Sequence, residues 1–133
     1  MRTHQIVLLP GDGIGPEITC VTRQILKRIS KKHAFILELN EQPFGGNAIE
    51  SYGVPLPQKT LEACLGCDAV LLAAIGDPKY DSLSRELRPE SGLLKLRESL
   101  GLFANIRPVS IIPALISSSS LKEEVIRGVD LTV

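Results

Sequence analysis

An excess of charge of either sign is missing from this chain, whose 15 basic and 15 acidic residues cancel. That balance gives no electrostatic reason to expect nucleic acid or an anionic membrane as a partner. Long apolar runs are missing too. The longest, "AVLLAAI" at 69–75, has seven residues, against the roughly 20 needed to span a bilayer. "QIVLLP" enters an apolar strand at Gln5, which leaves no room for a signal peptide and makes a cytoplasmic setting the expectation. Cysteine is sparse. Cys20, Cys64 and Cys67 do not make a disulfide framework, and a C-x-x-C pair needs a thioredoxin-like context or a second ligand pair to be a redox or zinc site. Neither is present, and His4 and His33 stand isolated. The thiols therefore read as small hydrophobes. What is present is a globular composition, 44% hydrophobic over 133 residues, enough for one core or part of a larger one.

The stretch "LLPGDGIGPEI" (residues 8–18) is the first feature that asks for an explanation. A dinucleotide fingerprint reads G-x-G-x-x-G at the end of a strand. Gly11 and Gly13 fit it, but Pro16 takes the sixth position and the third glycine comes early, at Gly15. The residues read instead as strand, sharp turn and helix. Pro16 suits the first helical position and Glu17 the positive end of the helix dipole. An ordinary tight β–α turn is the other reading of the same residues.

The remaining chain alternates between strand and helix patterns. "PEITCVTRQILKRISKK" (16–32) places Ile18, Val21, Ile25, Leu26 and Ile29 on one helical stripe, with basic residues in its last turn. "AFILEL" (34–39) is a second strand, "PLPQKTLEACLG" (55–66) a short helix, and "DAVLLAAI" (68–75) a strand of the type buried on both faces of a parallel sheet. "SGLLKLRESLGL" (91–102) is a further helix and "LFANIRPVS" (102–110) an extended segment. In "SSSSLKEEVIRG", Ser120 and Glu123 form a capping box that opens one more helix. "VDLTV" (129–133) begins another buried parallel strand, with no turn, cap or polar tail after it. The chain is accordingly expected to be an N-terminal segment of something longer. The alternation predicts an α/β fold with a parallel sheet. Glu38, at the end of the second strand, stands where a Rossmann domain places a ribose-binding acid. With the glycine spacing wrong, it reads as a polar residue at a strand end.

Residues 88–108, "RPESGLLKLRESLGLFANIRP", hold the most chemistry. On a helical wheel Glu90, Leu94 and Arg97 fall at about 0°, 40° and 340°, with Leu93 at about 300°. Leu96 and Leu100 lie further round as core contacts. An arginine fork recognises carboxylates in two-point geometry, and leucines beside it accept an alkyl group. The stripe therefore suits a small branched-chain acid. A surface Glu–Arg pair flanked by core leucines would have the same spacing.

"LPGDGIGPEI", "GGNAIESYGVPLP", "DAVLLAAIGDPKYDSLSRELRPESGLLKLRESLGLFANIRP" and "LKEEVIRGVDL", in this order, resemble the isocitrate/isopropylmalate dehydrogenase family of β-decarboxylating hydroxyacid dehydrogenases. The resemblance runs over essentially the whole chain and corresponds to the first third of such an enzyme. It implies the family's parallel-sheet α/β fold, which is not of the Rossmann type, present as an incomplete N-terminal segment. Residues 1–101 would be the N-terminal part of the first, cofactor-side domain, and residues 102–133 the start of a second. The implied activity is oxidation of 3-isopropylmalate by NAD and decarboxylation to 2-oxoisocaproate, in leucine biosynthesis. Sister reactions on isocitrate, homoisocitrate or tartrate, or a non-catalytic fragment or subunit, are the alternatives. A third substrate carboxylate would prefer polar contacts at positions 93 and 94.

The resemblance also assigns residues. Arg97 and Arg107 match carboxylate-binding arginines, a third lying just past Val133. Leu93 and Leu94 match contacts of the isopropyl group, and Glu90 an acid near that group and the nicotinamide ribose. Ile14 and the run Asp77, Pro78, Lys79, Tyr80, Asp81, Ser82, Leu83, Ser84, Arg85, Glu86, Leu87, Arg88, Pro89 and Glu90 match cofactor-lining regions. Asp77 and Ser84 depart from the pattern, which has a small residue and a proline there. Mg²⁺ or Mn²⁺, with aspartate ligands and a catalytic Tyr and Lys beyond residue 133, would stabilise the enolate formed on decarboxylation. No catalytic or metal-binding residue is therefore expected in this segment, which alone is expected to be inactive. The full-length enzyme is expected to be a cytoplasmic homodimer with a small-molecule substrate and no nucleic-acid or membrane partner.

Overall fold

The apolar run that starts near Gln5 forms strand β1 (Thr3–Gly11). A computed structural model describes residues 2–133, which divide after Gly101 into two units, the second being Leu102–Val133. In the first unit β1 is the centre of a parallel sheet, flanked by β2 (Ile36–Glu41) and β3 (Ala69–Ala74). The register sets Gln5 opposite Glu38 on one side and Val7 opposite Val70 on the other. Among the described residues only β1 has a strand on both sides, and it supplies the deepest side chains: Val7, Leu8 and Leu9 are at most 2% exposed. Side chains alternate across a strand. Val7 and Leu9 thus share one face, where they pack with Phe44, Leu56, Cys64 and Leu96. Helices α2 (Gly46–Tyr52), α3 (Gln58–Leu65) and α4 (Pro89–Ser99) follow in that order. Each fully buried aliphatic or aromatic side chain of this cluster contributes about 1.5–3 kcal/mol. The parallel sheet with helices between its strands is the α/β class expected from the alternating pattern.

Helix α1 (Gly15–Lys32) lies against the sheet on an edge that takes in only half-buried Leu26 of its apolar stripe. Gly15 and Thr19 are its buried residues, whereas Ile18, Val21, Ile25 and Ile29 are between 39% and 54% exposed. The cause is local. A side chain at Gly15 would collide with the Pro10 carbonyl, so the missing Cβ lets the helix settle on its Gly15–Thr19 edge. That edge is roughly a quarter turn from the isoleucines. Gly15 opens the helix, so Pro16 is the second helical residue rather than the first.

Other expectations need correction. β3 is not buried on both faces. Among the described residues it is an edge strand paired with β1 alone, with Ala69 exposed and its other residues half-buried. β2 ends at Glu41, which leaves Glu38 inside the strand, where it accepts a hydrogen bond from Gln5 Nε2 at 3.2 Å. Helix α2 was not legible in the residue pattern, although its left-handed Gly53 cap and following proline are usual stop signals.

In the second unit β4 (Pro108–Ser110) pairs antiparallel with β5 (Asp130–Thr132), Val109 opposite Leu131. "VDLTV" is therefore neither parallel nor buried within its unit, since it has a single partner strand and all three β5 residues are exposed. A 3₁₀ turn (Pro113–Ser118) and the short helix α5 (Glu123–Ile126) connect the two strands. The capping box does not form: Lys122 holds the N-cap position without a side-chain bond, and the Ser119 hydroxyl accepts from Leu121 N instead. Among the described residues no helix is long and apolar enough to cross a membrane.

Candidate functional site

The glycine loop leaves β1 at its carboxyl end, where open α/β sheets place ligands at the point of strand-order reversal. Here a cleft of about 300 Å³ opens beside Pro10, Gly11 and Pro16, and the Asp12 carboxylate next to it is taken up by protein. Asp12 is 5% exposed, and its Oδ1 accepts hydrogen bonds from Gly46 N at 2.5 Å and Asn47 N at 3.4 Å. Its Oδ2 accepts from Gly76 N at 3.0 Å. Asp12 N donates to Ala74 O at 3.1 Å, and a side chain at Gly11 would collide with that same carbonyl. The loop is thus a contact between strands as well as a turn.

From Gly76 the chain enters segment 77–90, which is held by its own side chains. Asp77 Oδ1 accepts from Lys79 N at 3.0 Å and caps a 3₁₀ turn (Pro78–Tyr80). Lys79 Nζ and Tyr80 OH donate to Glu50 Oε1 on α2 at 2.8 and 2.9 Å. Hydrogen bonds from Lys79 and Tyr80 hold the Glu50 carboxyl below its ordinary range, and the bond to Glu50 raises the Lys79 ammonium. Burial pushes the Tyr80 phenol up, and its ring occupies the space a side chain at Gly46 would need. Further on, Arg88 donates to the carbonyls of Leu83 at 3.1 Å and Asp81 at 2.6 Å. Ser91 Oγ lies 2.7 Å from both the Glu86 and the Arg88 carbonyl oxygens, the two acceptors that its one proton can reach. This leaves Asp81, Ser82, Ser84 and Arg85 exposed on the outer side.

Helix α4 begins at Pro89 and carries the candidate substrate stripe. Leu96 is 4% exposed in the core, and Leu93 and Leu100 pack against that core. Leu94 is 61% exposed, as are Glu90 and Arg97 on the same side. The adjacent leucines are therefore divided between core and surface. Glu90 lies over Gly76, where an added Cβ would stand 2.8 Å from its Oε1. Among the described residues Arg97 has no carboxylate at ion-pair distance. Such a guanidinium is free to take an outside anion. Two clefts in this unit, of about 300 and 320 Å³, are lined around Phe44 and around Leu87, and neither lining includes Arg97 or Leu94.

Residues 5–133 match the sequence profile of the family described as isocitrate/isopropylmalate dehydrogenase. The chain belongs to that family. It is 64% identical over its full length to the 3-isopropylmalate dehydrogenase of Synechococcus sp. (strain CC9605) and 62% identical to that of Prochlorococcus marinus (strain NATL2A). It spans 37% of the length of each of these relatives. Its structure is similar to the crystal structure of a beta-decarboxylating dehydrogenase from Thermococcus kodakarensis, with a TM-score of 0.65 and 30% identity, covering 81% of this chain and 30% of that one. It is also similar to that of isocitrate dehydrogenase from Methylococcus capsulatus, with a TM-score of 0.64 and 29% identity, covering 80% and 29% of the two chains.

For this member of the dehydrogenase family, the first unit contains the side chains of Glu90, Leu93, Leu94 and Arg97 on one helix and segment 77–90 directly before it. Ile14, the N-cap residue of α1, is 64% exposed. Arg107 lies in the second unit, exposed, its backbone paired with Val133 through bonds of 2.8 and 3.0 Å. Asp12 was missed by sequence reasoning; its signal, an acid between two glycines at a strand end, was read for the glycines alone. Among the described residues no group of three or more His, Cys, Asp or Glu could hold a metal ion. Cys64 packs in the core, and burial pushes its thiol up to about 11. Cys67 Sγ lies 3.2 Å from both Cys64 O and Ala69 O, either of which can accept its one thiol proton. A thiol reagent should therefore reach Cys64 only as fast as the unit unfolds, because the thiolate is the reactive form. Rapid labelling of Cys64 in native protein, read by mass spectrometry, would contradict this packing.

Proposed function

We propose that these residues are the substrate- and cofactor-facing start of an enzyme that oxidises 3-isopropylmalate with NAD and releases carbon dioxide and 2-oxoisocaproate, a step of leucine biosynthesis. The observation that carries the reading is the outer face of α4, where Arg97, without an ion-pair partner among the described residues, stands beside exposed Leu94. A guanidinium fork next to an alkyl surface suits an acid with a branched hydrocarbon tail better than a tricarboxylate. The Synechococcus and Prochlorococcus relatives are named 3-isopropylmalate dehydrogenase, which supports this substrate.

In this reading Arg97 donates charge-assisted hydrogen bonds to a substrate carboxylate, a role that the family resemblance also gives Arg107, and Leu94, with the free edge of Leu93, covers the isopropyl group. Glu90 stands between that group and the cofactor ribose. NAD, when bound, would supply the hydride acceptor for the substrate carbinol carbon. The residues present fit part of its site. Ile14 offers exposed apolar surface, and Ser82, Ser84 and Arg85 offer hydroxyls and a cation to sugar and phosphate oxygens. The described residues do not fit a divalent-metal centre, so no step is assigned to Mg²⁺ or Mn²⁺ here. The reading includes a cytoplasmic homodimer at full length, as the family resemblance implies.

The test is a steady-state comparison of 3-isopropylmalate with isocitrate, homoisocitrate and tartrate, using a protein of full family length that starts with these residues. Preference for any of the other three acids would overturn the proposal. Within it, Leu94→Ala should lose about 1–3 kcal/mol of transition-state binding for 3-isopropylmalate, the usual worth of a small apolar contact. Unsubstituted malate should lose much less. Leu93→Ala, by contrast, should also lower the melting temperature, since Leu93 packs against the core. Equal losses on both substrates in Leu94→Ala would remove the alkyl-pocket role.

A further inference from the structure

We propose that Asp12 is a positioning residue for the cofactor segment 77–90, an inference that rests on the cofactor part of the proposed function. The carboxylate is 5% exposed, and among the described residues no cation pairs with it. It is satisfied by backbone alone: Gly46 N and Asn47 N on Oδ1, and Gly76 N on Oδ2. These amides come from two places in the chain. Gly46 and Asn47 open α2, the helix whose Glu50 binds Lys79 and Tyr80. Gly76, at φ +96°, is the residue from which the segment departs, and it also carries Glu90 against its backbone.

One buried acid therefore fixes both the start of the segment and the helix that grips its first turn. Ion-dipole bonds of this kind are stronger than neutral ones, and a buried N–H left without an acceptor is costly. Space is tight around the carboxylate, since an added Cβ at Gly45 would stand 2.7 Å from Oδ2. Asp12 cannot readily be re-aimed. Asp12→Asn keeps the shape but replaces one acceptor by an NH₂ group, which must face one of the three amides as donor against donor. The expected effect is on where segment 77–90 sits, transmitted through Gly76 and α2.

The experiment measures NADH affinity by its fluorescence, together with KM for NAD and for 3-isopropylmalate, in the full-length protein below the melting temperature of each variant. Asp12→Asn should weaken NADH binding on the order of tenfold and raise KM for NAD by a similar factor, the worth of one lost charge-assisted bond. KM for the substrate should move much less. A purely structural Asp12 would lower the melting temperature and leave both constants unchanged, and that result would overturn the inference, as would equal shifts in both. If Asp12→Asn does not fold, Asp12→Glu, which keeps the charge but displaces it by one methylene from the Gly46, Asn47 and Gly76 amides, should show the same split. Its absence there is equally decisive. Wild-type protein that binds no NADH would sink the inference as well. Wild-type protein that binds NADH but prefers another acid would sink only the substrate assignment.

Discussion

Replacing Arg97 with lysine should lower kcat/KM for 3-isopropylmalate roughly 10- to 100-fold, because hydrogen bonds to charged groups are worth about 1.5–3 kcal/mol each. An ammonium keeps the charge but cannot reproduce the planar fork that holds both oxygens of a carboxylate. The structure makes the substitution a clean probe. Arg97 is exposed on α4, and among the described residues no carboxylate is at ion-pair distance from it. Folding should therefore be nearly indifferent to the change, and the melting temperature should stay within a degree or two of wild type. The loss should appear in full-length enzyme with 3-isopropylmalate and be partly recovered with a substrate lacking the contacted carboxylate. Wild-type efficiency in Arg97→Lys would refute the carboxylate role.

The second large effect concerns folding. Gly11→Ala should cost about 2–5 kcal/mol, the sum of about 1–2 for a left-handed backbone and about 1–3 for overpacking. Gly13→Ala should cost only the first part. Both glycines have positive φ, +69° and +55°. They differ in what surrounds them. A Cβ at Gly11 would collide with the Ala74 carbonyl, a rigid backbone group of the partner strand, whereas one at Gly13 meets nothing within 4 Å. Relief at Gly11 would require β1 and β3 to part where Asp12 N binds Ala74 O. Urea unfolding of both full-length variants measures the difference. Equal costs would mean that the strand contact does not constrain Gly11.

Local chemistry was legible from the chain alone. The β1 run, the helix that follows Gly15, the apolar helix 91–99 with Leu96 facing inward, and the Glu90–Leu94–Arg97 stripe all depend on residue type and spacing over one or two helical turns. Those are short-range steric and amphipathic rules, and they hold wherever the segment ends up. The order of glycine, proline and acid in "GDGIGPE" likewise marked a strand–turn–helix before any fold was known.

The tertiary structure decided what spacing cannot express. Periodicity says that α1 has an apolar stripe, yet which side meets the sheet follows from the close approach of Gly15 to Pro10, a contact between groups on separate elements. "DAVLLAAI" looks like a central strand by composition, but its place in the sheet and the cover on its faces are set by distant segments, and among the described residues β3 is an edge strand whose side chains stay half-buried. Leu93 and Leu94 are indistinguishable as letters, and the docking of α4 sends one to the core and the other to the surface. Asp12 shows the limit most directly. Its partners, Gly46, Asn47 and Gly76, are 34, 35 and 64 residues away, and backbone amides leave no trace in a sequence. An acid whose whole satisfaction comes from distant main chain can be recognised only once the chain has folded around it.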